Sequence, residues 1–599
     1  MLIRALCDYY DVLEERGKLV EEGFSEVAVQ YAICLSPEGK ITGINNIQIP
    51  TEIKDKKGRV KIVDKPLICK FPFFKNERSE KAYNIEHRAR YIFGMSYSSD
   101  SNTLSVTEKA KNDKFKEKNL EFIEGMNDPT INAFRNFLIN FVPEDEIKNA
   151  YILGLKKDVN KVNCCFVLDG YKYDYLQNNF LIQEKIRRGI NSKIEEGQKY
   201  TCAISGKKGY ISKLHYDIKG LAEQNGPLVC VKSSAGESYG KTAAFTSGIS
   251  EESMEKYTKA LNWLAQSSSN KAVFGEKNKM TVLFFSIKKE SEIEDAFVKF
   301  LLSGSSDDSS DVILQINSLL SHIKKGDATE KNKVIINDKS DYYVIGLTSN
   351  GSRICMKFFF RDTFGHLFEN VIRYQQDISM GTSNKPVAVW QITNELVRPV
   401  KKGVKENKEN VPTSLIAALM TSILTGKRYP DSLYDTVLNR IKTDNDTKEN
   451  GYIKLNPIRA GIIKAYLNRN YKEDYTMALD ENRMETAYLC GRLFAVLENI
   501  QTEAQGELNT TIKDSYFATA CTTPAVVFAQ MILLAQNHLK KLEKVRAVKL
   551  ENRMGWIINS IDDYPATFSN KEQGIFILGY YHQKYTGYGK KKNSDNDEE

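Results

Sequence analysis

The densest phosphate-binding signature in this 599-residue chain is Pro227–Phe245, PLVCVKSSAGESYGKTAAF. A strand-like run leads into Gly240–Lys241–Thr242, which matches the end of a P-loop. The full pattern G-x-x-x-x-G-K-T needs glycine at position 235. That position is Ala, and Gly236 falls one residue late. A loop shortened in this way does not wrap a nucleotide's phosphates as a P-loop does. Nucleotide hydrolysis around Lys241 therefore remains only an alternative. The polar Gly/Ser/Lys loop can still meet a nucleic-acid phosphate. A second cationic cluster is Cys202–Leu221, which holds Lys207, Lys208, Lys213, His215 and Lys219 beside glycines. Glycine lets a backbone approach a phosphate and lysine supplies charge. The same residues also suit a solvated turn. The third is Lys65–Gly94, KPLICKFPFFKNERSEKAYNIEHRARYIFG. It interleaves aromatic rings with Lys70, Asn76, Arg78, Asn84 and His87. Cations hold phosphates, amides read base edges and flat rings stack or wedge. A β-edge and helix with Phe and Tyr turned inward fits that text as well.

Enzyme chemistry has little to stand on. The six histidines form no H-x-x-x-H pair and join no cysteine ligand set. The ten cysteines include no C-x-x-C. Many lie in apolar runs, such as Cys34 and Cys230, so buried, reduced thiols in a cytoplasmic protein are expected. No G-x-S-x-G elbow occurs. The expectation is a non-enzymatic protein with no cofactor and no metal. The acidic residues in its opening stretch do not fit a signal peptide, and no stretch approaches 18 apolar residues.

Elements must position those clusters. The chain carries a net charge of +8, and residues 477–599 account for −2. The first 476 residues therefore hold +10, a sign that suits a polyanion partner. Leu2, Ile3, Leu6, Tyr10 and Leu13 follow helical spacing. Val27, Val29, Tyr31 and Ile33 alternate as a strand, and Pro37–Gly39 turns it toward Ile41. Lys54–Lys61 reads as a basic loop or hairpin tip. Tyr343–Phe360 reads as a hairpin turning at Ser349–Asn350–Gly351, followed by a helix over Asp362–Ile378. Ser303–Asp311 and Lys401–Asn410 read as a flexible loop and a linker. Beyond the linker helices dominate. Leu415, Ile416, Leu419, Ile423 and Leu424 form one face, closed by Gly426. Ile462, Ile463, Tyr466 and Leu467 mark a second helix. Leu489, Leu493, Leu497 and Ile500 form a stripe on a third. Thr523–Pro524 starts a helix carrying Val527, Met531 and Leu534. Met554, Ile557, Ile558 and Ile561 mark another, and Ser569-x-x-Glu572 is a capping box for the last, which ends near Tyr585. The tail reads as disordered.

The order of several segments resembles the large subunit of the type I-C CRISPR Cascade effector. LIRALCDYYDVLEERG opens the resemblance. CAISGKKGYISKLHYDIKGL, ESYGKTAAFTSGISEESMEKYTKALNWL and YVIGLTSNGSRICMKFFFRDTFGHLFENV continue it. LIAALMTSILTGKRYPDSLYDTVLNRI, AYLCGRLFAVLENIQ and LNTTIKDSYFATACTTPAVVFAQMILLAQNHLKKL carry it to the C-terminal part. The family has a motif-reading tract like P-N-F-L-W-D-N before Y-x-L-G. Here Ala82–Gly94 stands in its place and departs from it.

The resemblance implies a subunit at the crRNA 5′ end of a ribonucleoprotein. Such a subunit recognises the protospacer-adjacent motif in duplex DNA, helps open the duplex and recruits a separate helicase-nuclease, while guide RNA reads the sequence. Implied partners are crRNA-bound backbone and processing subunits, target DNA, and a small subunit translated from an internal start. Met477 is the candidate start, because Lys472–Glu473–Asp474 can be encoded as a purine-rich ribosome-binding sequence; Met484 is the second. The expected fold class is α+β, a mixed N-terminal region with antiparallel strands followed by a C-terminal α-helical bundle. The expected divisions are 1–150, 151–400, 401–476 and 477–599. An RNA-processing or pure scaffold protein, and a nucleotide-dependent enzyme, are the competing readings.

Overall fold

The computed structural model describes residues 1–585 except 20, 22, 55–59, 73–81, 99–102, 172–173, 193–198, 222–224, 232–235, 242, 276–278, 289–291, 304–338, 352, 382–385, 398–410, 447–451 and 507–510. The tip of the basic hairpin, the 401–410 linker, most of the 303–311 loop and the tail after Tyr585 lie outside the described residues. The chain divides into two compact units. One comprises Leu13–Tyr216 and Val231–Glu255; the other comprises Met1–Val12, Asp217–Cys230 and Lys256–Glu599.

The first unit is built on a three-stranded sheet. Tyr31–Leu35 lies between Ile41–Asn46, antiparallel, and Cys164–Leu168, parallel. The alternation over Val27–Ile33 predicts one strand, but two form. Phe24–Val29 pairs instead with Leu67–Pro72. The break falls at Gln30, where the amides of Gln30 and Tyr31 both turn to the Asn163 carbonyl. Gly39 makes the turn to Ile41 with a φ of +82°, and a Cβ there would overlap the Phe137 backbone. Asp128 caps the helix Pro129–Asn140, accepting from the Thr130 amide at 2.9 Å, with Pro129 at the first turn. That helix lays Phe134 and Phe137 on Phe166 of the sheet, with ring centroids 4.7 and 5.4 Å apart.

The second unit contains a four-stranded antiparallel meander, Lys271–Phe274, Met280–Ser286, Asp341–Asn350 and Arg353–Thr363. Its last two strands are the expected hairpin, and Gly351 turns it with a φ of +58°. Helix Phe364–Ile378 follows, capped by Thr363. Phe364 and Phe297 bring that helix and Glu292–Ser303 onto the sheet. Tyr9 of the opening helix Leu2–Glu15 packs on Phe285 at 4.5 Å. The remainder is helical, from Val389–Glu395 through Thr413–Thr425, Asp431–Thr443 and Pro457–Tyr471 to Asn570–Lys584. The whole is α+β, with antiparallel strands toward the N-terminus and a helical C-terminal region.

One buried apolar cluster runs from Ala272 to Tyr581 through both the meander and these helices. Helix Thr486–Gln505 lies at its centre. The spacing of Leu489, Leu493, Leu497 and Ile500 predicts one apolar stripe, whereas every residue from Ala487 to Glu498 is buried. A helix enclosed on all sides needs small residues where neighbours cross it. A Cβ on Gly491 would overlap the Phe576 carbonyl oxygen, and one on Gly579 the Tyr488 carbonyl oxygen. Two backbones thus meet where Thr486–Gln505 and Asn570–Lys584 cross. Ser569 and Glu572 form the expected capping box. Thr523 departs from expectation: its hydroxyl donates to the Thr519 carbonyl of the preceding helix at 3.2 Å and makes no cap bond to the helix Pro524–Leu539.

A polar network lies inside this apolar mass. Arg459 is fully buried, donating to Glu395 at 2.7 Å and Asp444 at 3.1 Å. Arg440 also donates to Asp444, at 2.9 Å. Despite burial, hydrogen bonding from Tyr452 and the arginine charges hold the Asp444 carboxyl below its ordinary range. Glu395, Arg440 and Arg459 therefore join three helices, Val389–Glu395, Asp431–Thr443 and Pro457–Tyr471, through charges that are mutually compensated.

Candidate nucleic-acid interface

The Ala82–Gly94 segment builds a rigid turn around Glu86. That carboxylate is buried and accepts the amides of Tyr83, His87 and Arg88 at 3.0–3.1 Å. It also takes the Arg88 guanidinium at 2.6 and 2.8 Å. Arg88 is sandwiched between the rings of Tyr83 and Tyr91, at 3.8 and 3.6 Å from their centroids. Burial, the largest single effect, works to lower the Arg88 pKa, but the hydrogen bond and charge of Glu86 with the neighbouring tyrosines together raise it. Asn119 ties the turn from below, accepting the Glu86 amide and donating to the Tyr83 carbonyl. Ile85, β-branched, is held at a φ of +50°, a conformation that costs about 1–3 kcal/mol. Strain of this kind persists where surroundings over-determine it; the preceding Asn84 is half-buried, and its Oδ1 is enclosed without a hydrogen-bond partner among the described residues.

His87 is placed differently. Its ring is buried, stacked on Tyr83 at 5.5 Å and against Phe71 at 5.1 Å. It supports the turn from inside. Lys70 is exposed on strand Leu67–Pro72, across from Glu26. Asn76 and Arg78 lie outside the described residues.

The Cys202–Leu221 lysines do not act as one group. Lys207 and Lys208 are exposed on a tight hairpin that pairs Tyr200–Thr201 with Lys208–Gly209, and Lys213 is exposed just beyond it. Cys202 anchors that hairpin. Burial raises its thiol pKa, but hydrogen bonds from Ser250, Ser253 and nearby backbone amides outweigh burial and bring it to about 6. His215 is buried, with Nε2 3.5 Å from the Ser247 hydroxyl, and burial lowers its pKa to about 4. A neutral, enclosed imidazole gives a phosphate no charge to bind. Lys219 belongs to the other unit; its amide donates to Asn262 at 2.7 Å, and burial lowers its ammonium pKa.

Lys241 closes a four-residue turn. Its amide donates to the Ser238 carbonyl at 3.0 Å, and both central residues, Tyr239 and Gly240, have positive φ, +52° and +68°. This is a two-residue reversal, although part of the P-loop-like stretch lies outside the described residues. Tyr239 is 98% exposed at the tip. Motif reading passes over this exposed ring, because a lone tyrosine between Ser and Gly has no periodicity to mark it. Cys230 and Cys355 are exposed, which corrects the expectation that the Cys230 run is interior. Among the described residues no group of His, Cys, Asp and Glu could hold a metal ion, and no helix is long and apolar enough to cross a membrane.

The first unit presents Lys207, Lys208, Lys213 and Lys241 to solvent, and the C-terminal region is helical. A family model described as CRISPR-associated protein (Cas_Csd1) matches residues 6–588, so the chain belongs to that CRISPR-associated family, consistent with a type I-C large subunit. No curated protein matches the chain.

Proposed function

We propose that this chain recognises the protospacer-adjacent motif in duplex DNA as part of a crRNA-bound type I-C surveillance complex. It assists unwinding and R-loop formation, recruits a separate helicase-nuclease, and catalyses no reaction itself. The observation that carries this reading is the family match from residue 6 to 588. The arrangement of the first unit supports it. Lys207, Lys208, Lys213 and Lys241 are exposed cations suited to phosphate, and Asn84 is a half-buried amide beside the strained Ile85, of a residue type that reads base edges. The same reading gives the C-terminal helices a second existence, as a small subunit started at Met477.

The test is duplex binding by the chain assembled with its RNA-bound partners. Replacing Lys207, Lys208 and Lys213 together with Ala should weaken motif-bearing and motif-free duplex alike and flatten the salt dependence. Asn84→Ala should instead erase roughly 1–3 kcal/mol of discrimination between them. Unchanged binding in the lysine variant removes that hairpin from the interface. ATP turnover that vanishes in Lys241→Ala would overturn the non-enzymatic reading.

A further inference from the structure

The Ser238–Lys241 turn is built at a cost that its own stability does not explain. Turns with positive φ at both central positions favour Asn-Gly or Gly-Gly, because side chains with a bulky Cβ clash there. This turn has tyrosine at the first of them. Packing does not account for the choice, since Tyr239 is 98% exposed. The residues around it, from Gly236 to Lys241, are exposed too, and none is apolar apart from the ring. A tyrosine that anchors a protein interface sits in a well-packed patch whose neighbours exclude water. Among the described residues this ring projects from the turn between Glu237 and Lys241, with open space beside Gly240.

We propose that Tyr239 is a stacking residue for an unpaired DNA base, with Lys241 holding the adjoining phosphate. Every base has a flat π-face, so one exposed ring beside one cation binds single strands without reading sequence. Gly240 adds no Cβ, so a nucleotide can come close to the tip. The inference rests on the DNA-handling reading above and assigns it a residue for strands that have already parted.

The test uses the full chain, oligodeoxythymidylate as the single-strand probe and a blunt matched duplex as control. Tyr239→Gly should bind the single strand about fivefold more weakly or worse, the low end for one base–aromatic stack, and the duplex unchanged. Its thermal midpoint should equal or exceed that of the unaltered chain, because glycine relieves the backbone. Tyr239→Trp should retain single-strand affinity, and oligodeoxythymidylate should quench its emission. Equal single-strand affinity for Tyr239→Gly, unquenched emission in Tyr239→Trp, or a lowered midpoint for Tyr239→Gly would each overturn the proposal. None of these outcomes bears on motif discrimination in the assembled complex, so this proposal and the broader one fail separately.

Discussion

Glu86 shows how one buried carboxylate can organise a surface. It collects backbone amides that would otherwise be unsatisfied and neutralises Arg88 between two rings. Glu86→Ala removes the anion and leaves the guanidinium partly buried without its partner. A loss of about 3–5 kcal/mol is expected, read from guanidinium denaturation of the full chain. His582 gives a pH dependence. Its ring is buried, with Nδ1 2.9 Å from the Tyr488 hydroxyl. Burial, then the Lys464 and Arg483 charges, lowers its pKa from 6.5 to about 4. The folded chain keeps this histidine neutral to lower pH than the unfolded chain does. Between those values the unfolded state binds the extra proton, so stability is present above about 6.5 and is lost as pH falls toward 4. Its share of the fall between pH 7 and pH 5 is about 2 kcal/mol. His582→Gln should lose that share, measured as a flatter urea midpoint over the same range.

At the scale of elements, glycines in helices make opposite predictions. Gly491→Ala drives a methyl into the Phe576 carbonyl, where neither backbone can give way. It should cost about 3 kcal/mol or more, and separate helix Thr486–Gln505 from Asn570–Lys584. Gly555, inside helix Lys544–Asn559, has open space where its Cβ would lie. Gly555→Ala should therefore stabilise by about 0.5–1 kcal/mol through helix propensity alone. Thermal melts of the two variants check both signs. Helices were legible in the sequence because apolar spacing and caps are local. The Leu415–Leu424 face, the αL Gly426 and the Ser569 box all follow from neighbours a few residues apart. The parallel pairing of Tyr31–Leu35 with Cys164–Leu168 leaves no such trace, because no local pattern sets the register of distant strands. The candidate site divides the same way. Exposure of Lys207, Lys208 and Lys241 accords with their polar, glycine-rich surroundings. The burial of His87 and His215 depends on rings and strands brought from elsewhere in the chain, and so does the support that Asn119 gives the Glu86 turn.

For the whole molecule, the helices after Met477 do not end where that residue begins. The Tyr434 hydroxyl donates to the Asn570 carbonyl at 2.7 Å, and a Cβ on Gly574 would overlap that hydroxyl. Lys442 reaches Gln573 at 2.9 Å, Lys571 pairs with Glu473 at 2.6 Å, and Lys513 pairs with Asp446. Arg483 stacks on Tyr475 at 3.9 Å and pairs with Asp474. A product started at Met477 lacks all of these partners. A C-terminal tag on the native gene should reveal a short band beside the full-length one. Purified alone, the short product should melt below the same helices in the full chain, or self-associate. A full-length band alone would remove the second start.

The close seat of Tyr434 on Gly574 then has a consequence for inheritance. If both products are made, one stretch of gene encodes a face that is interior in the long protein and boundary in the short one. Gly574→Ala would be a single lesion with two phenotypes: misfit packing in the large subunit, and an altered partner surface in the small one. Complementation with each product supplied separately would tell the two apart.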